Sequence, residues 1–104
     1  MSIKQILDIE KDIKDLNIQG ATNVAIATVE GMKVFIEESA ITDKELFYTE
    51  LKRVGEKLAN ARPNEPLAEN AVKYLSHMFK QYFSALHSLN DMKQQLDDYC
   101  DEYL

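Results

Sequence analysis

Apolar residues recur along most of the chain at the three- and four-residue spacing that is typical of amphipathic α-helices. The first such segment covers residues 3–16, and its charged side chains fall mostly on the other faces. A second covers 20–38 and carries small or apolar residues on most of its sides, so we expect it to be a central helix with several neighbours. Gly31 lies inside it, where glycine costs about 1 kcal/mol relative to alanine. This glycine therefore predicts a close helix–helix approach.

Capping residues divide the remainder of the chain into further helices. Thr42 and Glu45 match a capping box, in which the threonine is the N-cap of a helix over 43–60. Pro66 suits the first position of a fourth helix, where its missing N–H is no loss. A fifth segment covers 88–103, either as a separate helix or as a continuation of the fourth. Five residues of the third helix are predicted to face the core: Leu46, Phe47, Leu51, Val54 and Leu58.

No alternating strand pattern competes with these segments, so the predicted fold class is an all-α bundle of four to five helices. The chain has 104 residues, of which 45% are hydrophobic and 29% charged, as in an ordinary globular domain. Its net charge of −6 argues against nucleic acid, because duplex binding depends on lysine and arginine at the phosphates. The longest charge-free stretch, 16–29, is too short and too polar to span a bilayer. We expect a cytoplasmic protein with neither a nucleic-acid nor a membrane partner.

Candidates for catalysis or metal binding are weak. His77 and His87 are ten residues apart, so they do not share a helix face, and both are expected at the polar surface. The carboxylates near the carboxyl end lack a histidine or cysteine at ligand spacing. Cys100 has no neighbouring base, so we expect it to be packed or half-buried. A single cysteine also fits a reducing compartment. We therefore predict no catalytic residue, no metal site and no cofactor.

Two short stretches raise a further question. The sequence IQGA, residues 18–21, leads into a helix amino terminus, where unpaired amides and the helix dipole favour an anion. The sequence ARP, residues 61–63, carries Arg62, whose guanidinium can bind a phosphate through two parallel hydrogen bonds. Periodicity alone favours a simpler interpretation, in which these are an ordinary helix start and a solvated arginine.

Taken together, DIKDLNIQGATNVAIATVEGMK and LANARPNEPLAENAVKYL resemble the amino-terminal helical domain of the translation initiation factor 2B family. That family includes the alpha, beta and delta subunits of the factor, ribose-1,5-bisphosphate isomerase and methylthioribose-1-phosphate isomerase. The order, spacing and helical setting of the two motifs agree across about sixty residues. The residues that match the family motifs are Ile18, Gly20, Ala21, Arg62, Pro63, Leu67, Asn70, Ala71 and Val72.

The resemblance implies a phosphate site, because these loops help to hold the substrate phosphate in the isomerases of the family. The corresponding residues in this sequence are Gln19, Gly20, Ala21, Arg62 and Asn64. Gln19 replaces the motif arginine and Asn64 replaces the threonine after Arg-Pro. Since a charged hydrogen bond contributes about 1.5–3 kcal/mol and a neutral one about 1, we expect weaker phosphate binding here.

The resemblance also bears on catalysis. The catalytic cysteine and aspartate of the family lie in a following Rossmann-like domain, whereas this sequence ends at Leu104. We interpret residues 1–104 as a single helical domain without that catalytic domain, and hence not as an enzyme. Aromatic side chains are enriched at interfaces, and four of them are candidates here, with the core as the plain alternative: Tyr82, Phe83, Tyr99 and Tyr103.

Two functional hypotheses follow from this interpretation. The first is a stand-alone, non-catalytic relative of the helical domain that binds another protein or associates with itself. The second is a sugar-phosphate or nucleotide-binding module that complements a separate isomerase-type catalytic domain. A third alternative, a fragment of a longer enzyme, is disfavoured by the polar ending DDYCDEYL. Nothing in the residues connects the chain to translation rather than to sugar-phosphate metabolism.

Overall fold

Five α-helices follow one another in the computed structural model, which describes residues 2–15, 20–62, 66–83 and 88–103. They are α1 (Ser2–Lys14), α2 (Ala21–Glu38), α3 (Lys44–Asn60), α4 (Pro66–Phe83) and α5 (Leu89–Tyr103). No strand occurs within these ranges, and the predicted all-α bundle is confirmed. None of the described helices is long and apolar enough to cross a membrane.

The fifth segment is a separate helix and not a continuation of α4. Ser88 is not helical, and its hydroxyl accepts a hydrogen bond from the Asp91 amide at 3.1 Å. Its carbonyl accepts the first helical bond, from the Met92 amide at 3.0 Å. Ser88 therefore acts as the N-cap of α5, a role for which serine is well suited.

Helix α2 is central, as its small and apolar surface predicts. It packs against each of the other four helices. Most of its residues between Val24 and Met32 are buried, including Thr28, whose hydroxyl donates to the Val24 carbonyl at 2.8 Å. That bond satisfies the buried hydroxyl within the helix itself, so α2 can be surrounded without leaving a polar group unpaired.

Glycines set how closely α3 approaches its neighbours. A Cβ at Gly31 of α2 would overlap the fully buried side chain of Leu58 on α3. On α3, a Cβ at Gly55 would lie 2.9 Å from Val72 Cγ1 of α4 and 3.0 Å from the Met32 side chain of α2. The close approach predicted at Gly31 is confirmed, and Gly55 provides a second one.

The predicted cap of α3 is wrong by one residue. Asp43, not Thr42, is the N-cap, and its carboxylate accepts from the amides of Glu45 at 2.8 Å and Leu46 at 3.2 Å. Aspartate ranks above threonine at this position, and its negative charge is also favoured by the helix dipole.

The predicted inward face of α3 also needs a correction at Leu46. That side chain is 50% exposed, whereas Phe47, Leu51 and Leu58 are fully buried and Val54 is half-buried. Adjacent residues of a helix point about 100° apart, and the rotation of α3 turns Phe47 to the core and Leu46 away from it. The larger ring takes the core position, with its centroid 5.3 Å from that of Phe35 and 5.4 Å from that of Phe79.

Helix α5 is attached to α2 by charge as well as by apolar contact. The Lys33 ammonium lies 2.8 Å from Asp101 and 3.1 Å from Asp97, both on α5, and 3.0 Å from Glu37 of its own helix. Hydrogen bonds to Asp101 and Glu37 raise the pKa of Lys33 above its usual value, so it stays charged at neutral pH. Burial raises the pKa of the Asp97 carboxyl.

Cys100 packs in the core, as expected. It is fully buried on α5, alongside the buried residues Met92 and Leu96 of the same helix. Burial, reinforced by the charge of Asp97, raises the pKa of its thiol to about 12. The thiol therefore remains protonated at neutral pH, a state that is poorly nucleophilic.

We expect Gly31→Ala to lower the free energy of unfolding by about 1 kcal/mol. Overpacking against Leu58 costs about 1–3 kcal/mol, whereas the higher helix propensity of alanine contributes only about 1 kcal/mol in return. In a Leu58→Ala background the overlap is absent, so the same substitution should raise stability instead. Urea denaturation of the four proteins of this cycle measures both effects. An equal effect of Gly31→Ala in both backgrounds would contradict the packing account.

Candidate functional site

Arg62 connects the end of α3 to the end of α1. It follows Ala61, whose amide closes the last turn of α3 on the Leu58 carbonyl at 3.2 Å. The Arg62 Nη2 donates to the backbone carbonyl of Ile13 at 2.7 Å, and Ile13 lies in the last turn of α1. The final carbonyls of a helix lack partners within it, and a cation there is also favoured by the dipole.

The position of Arg62 decides one of the questions raised by the sequence. The side chain is half-buried and hydrogen-bonded across the fold, so it is not a simply solvated arginine. The guanidinium has five N–H donors in a planar fork, and the bond to Ile13 is made by one of its nitrogens. A structural role for Arg62 is thus established, while its predicted role toward a phosphate stays a prediction.

Gly20 is the second member of the predicted phosphate site. It is the N-cap of α2 with φ +88°, a left-handed conformation that glycine adopts without strain. The atom nearest to an added Cβ would be Asn23 Nδ2 at 3.9 Å, an ordinary contact. The backbone conformation, and not a lack of space, therefore requires glycine here.

The side chains of the other predicted phosphate residues are not described by the structure. Ala21 is the first residue of α2, but its side chain lies outside the described residues, as do Gln19 and Asn64. The hydrogen bond to Ile13 places Arg62 at the end of the bundle where α1 ends. Ile13 precedes Gly20 by seven residues in the sequence.

Among the predicted interface residues, Tyr99 is the one whose side chain is described. It is half-buried on α5 and contacts Tyr74 of α4 edge to face, with ring centroids 5.9 Å apart at 86°. Tyr82 and Phe83 lie in α4 and Tyr103 in α5, but their side chains fall outside the described residues.

Two exposed apolar residues of α4 extend the surface around Tyr99. Tyr74 is 50% exposed, and Leu67, which precedes it by seven residues and so lies on the same helix face, is 45% exposed. We call Leu67, Tyr74 and Tyr99 the α4–α5 surface. Tyr74 is not among the interface residues predicted from the sequence, although its seven-residue spacing from Leu67 indicates a shared helix face.

His77 is exposed, as predicted, and its Nε2 lies 3.1 Å from the Gln81 amide nitrogen one turn later on α4. His87 lies outside the described residues. Among the residues that are described, no group of three or more histidine, cysteine or carboxylate side chains is arranged to hold a metal ion.

Fold and site together define a small α-helical domain. Its central helix begins at a left-handed glycine, and its third helix is followed by an arginine that is hydrogen-bonded to α1. Residues 17–104 match the initiation factor 2 subunit family, and the chain belongs to that family. The family resemblance drawn from the two motifs is thereby confirmed.

Two curated relatives are ribose 1,5-bisphosphate isomerases. The protein from Thermococcus kodakarensis is 28% identical over 91 residues, which are 88% of this chain and 28% of that protein. The protein from Pyrococcus furiosus is 25% identical over 104 residues, which are 100% of this chain and 32% of that protein. The chain therefore spans about a third of the length of these relatives.

We expect Arg62→Ala to lower the free energy of unfolding by about 1–2 kcal/mol, because it removes a charged hydrogen bond between the half-buried arginine and the carbonyl of the buried Ile13. For a domain of this size, that lowers the melting temperature by roughly 4–16 °C. The matched control is Arg53→Ala, since Arg53 forms a local ion pair with Glu50, 3 residues earlier on the exposed face of α3, and does not connect two helices through that pair. Calorimetry of both variants measures the difference, and equal melting temperatures would show that the bond to Ile13 contributes nothing.

Proposed function

We propose that this chain is a non-catalytic interaction domain of the initiation factor 2 subunit family, which binds another protein or a second copy of itself. The observation that carries the proposal is the α4–α5 surface, where Leu67 and Tyr74 are about half exposed and Tyr99 contacts Tyr74. Tyrosine is enriched at protein interfaces and among the residues that contribute most to binding.

The surroundings of the α4–α5 surface support this role. Edge-to-face contact with Tyr99 favours one orientation of the exposed Tyr74 ring. Helix α5 is itself attached to α2 through Lys33, Asp97 and Asp101. A surface that is already ordered loses less conformational entropy when a partner binds.

The use of Arg62 inside the fold also favours an interaction domain. Its bond to the Ile13 carbonyl accounts for a half-buried arginine at this position without any ligand. The residue that most strongly suggested a phosphate site thus has a physical reason to be present in either case.

We expect Tyr74→Lys to weaken self-association or partner binding, because a truncated or charged hot-spot tyrosine costs about 2–4 kcal/mol, or roughly 30- to 1,000-fold in affinity. The control is Leu46→Lys, since Leu46 is equally exposed, at 50%, but lies on α3. Sedimentation equilibrium over a wide concentration range tests self-association of the wild type and both variants.

If the wild type sediments as a monomer, a photo-crosslinking amino acid at position 74 or at position 46 tests for a different partner in cells of the source organism. A discrete adduct formed from position 74 and not from position 46 supports the proposal. A monomer that forms no adduct from position 74 overturns it.

The second candidate is a sugar-phosphate or nucleotide-binding module that complements a separate isomerase-type catalytic domain. It is favoured by the two ribose 1,5-bisphosphate isomerases among the relatives, since the match to the Pyrococcus furiosus protein covers the whole chain, including Gly20 and Arg62. Gly20 begins α2 without a side chain that could accept from the first-turn amides.

Thermal unfolding with ribose 1,5-bisphosphate, AMP or inorganic phosphate separates the two candidates. Ligand at ten times its dissociation constant adds about 1.4 kcal/mol to the free energy of unfolding, which raises the melting temperature by about 5 °C or more. An interaction domain shows no shift. A ligand module shows a shift in the wild type and in Arg53→Ala but not in Arg62→Ala, each relative to its own midpoint without ligand.

A further inference from the structure

A groove of about 570 Å³ runs between α3 and α4, on a part of the molecule that the α4–α5 surface does not include. Its walls carry Lys52 and Tyr48 from α3, and Lys73, Ser76, His77 and Lys80 from α4. We call it the basic groove. Of the residues that match the family motifs, Val72 lies in the lining of the groove. None of the candidate phosphate residues that the structure describes lines it.

The charge of the basic groove is opposite to that of the whole chain. The chain has a net charge of −6, yet the three lysines of the groove outnumber its two glutamates, Glu56 and Glu69. A local cationic surface on an acidic protein attracts anionic partners. It also repels the acidic faces of other copies of the protein less strongly than the rest of the surface does.

The cations are spread along the groove. Lys73 and Lys80 are seven residues apart and so lie on one side of α4, over about 10 Å of helix axis. Lys52 belongs to the opposite wall, on α3. Charges distributed in this way suit several carboxylates along one segment better than they suit a single phosphate.

The lining of the groove is partly apolar and firmly held. Ala59 and Val72 are buried beneath it, and the Tyr48 ring stacks on the fully buried Phe79 with centroids 5.6 Å apart. Ser76 is also buried, and its hydroxyl has no hydrogen-bond partner among the described residues. A buried hydroxyl without a partner costs about 1–3 kcal/mol, so a bound segment that offers it an acceptor gains affinity.

We propose that the basic groove binds an acidic amphipathic segment of a partner protein. Carboxylates of the segment pair with Lys52, Lys73 and Lys80, and its apolar side chains lie on the half-buried ring of Tyr48. The inference rests on the proposed function in that the chain works by binding protein, but it concerns a second surface and a defined partner chemistry.

The test uses a fluorescein-labelled dodecapeptide of alternating glutamate and leucine, with a lysine–leucine dodecapeptide as the charge-reversed control. Fluorescence anisotropy at low and at moderate salt measures binding to the full chain. We expect the acidic peptide alone to bind, and Lys73→Gln with Lys80→Gln to weaken it by roughly tenfold, as for the loss of two exposed ion pairs. Added salt should weaken binding as well.

The matched control removes the same charge elsewhere. Lys11→Gln with Lys14→Gln changes two exposed lysines of α1 that pair only within their own helix region, with Asp15 and Glu10, and should change affinity less than about twofold. Tyr74→Lys should also leave peptide binding intact, so a failure of the proposed α4–α5 interface is distinguishable from a failure of the groove.

Three outcomes overturn the inference. The wild type does not bind the acidic peptide, or the α1 double variant loses as much affinity as the groove variant, which indicates a general charge effect. In the third, inorganic phosphate displaces the peptide at equal ionic strength and raises the melting temperature of the wild type but not of the Lys73→Gln, Lys80→Gln protein. That result assigns the groove to a small anion.

Discussion

The close approach of α3 to α2 at Gly31 is the contact on which the rest of the bundle depends. Because Gly31 has no side chain, Leu58 fits against the backbone of α2, and α3 lies close enough for Gly55 to meet Met32 and Val72. The ring of Phe47 then reaches both Phe35 and Phe79, so that α2, α3 and α4 share one aromatic core. The groove between α3 and α4 and the position of Arg62 at the end of α3 are consequences of this packing.

Helix α4 contributes to both proposed binding surfaces. One of its faces presents Leu67 and Tyr74 beside α5, and another presents Lys73 and Lys80 beside α3. The two faces differ in chemistry, one aromatic and one cationic, because each is shaped by a different neighbouring helix. Helix α5 is fixed to the bundle by charged side chains. Lys33 of α2 forms ion pairs with Asp97 and Asp101, and Lys93 of α5 donates a hydrogen bond to the Ser39 carbonyl at 2.8 Å. Binding at the two surfaces is therefore separable by substitution.

Arg62 illustrates how a family motif can include a residue with a structural task. It lies within the segment that matches the initiation factor 2 subunit family, residues 17–104, but its hydrogen-bond acceptor, Ile13, precedes that segment. The bond joins α1 to the part of the chain that defines the family. A motif arginine can stabilise the fold in this way whether or not the same guanidinium also meets a ligand, and stability and ligand binding have to be measured separately.

Local pattern in the sequence determined the helices, the central place of α2 and the close approach at Gly31, because helical periodicity, capping and small-residue spacing depend on residues within a few turns of one another. Tertiary structure decided the rest. Which of Leu46 and Phe47 faces the core depends on the rotation of α3 against its neighbours, and Asp43 rather than Thr42 caps the helix that results. The bond from Arg62 to Ile13 spans 49 residues, and the contact of Tyr74 with Tyr99 joins two helices. Such pairs arise only when separate helices pack, since no local spacing relates their members.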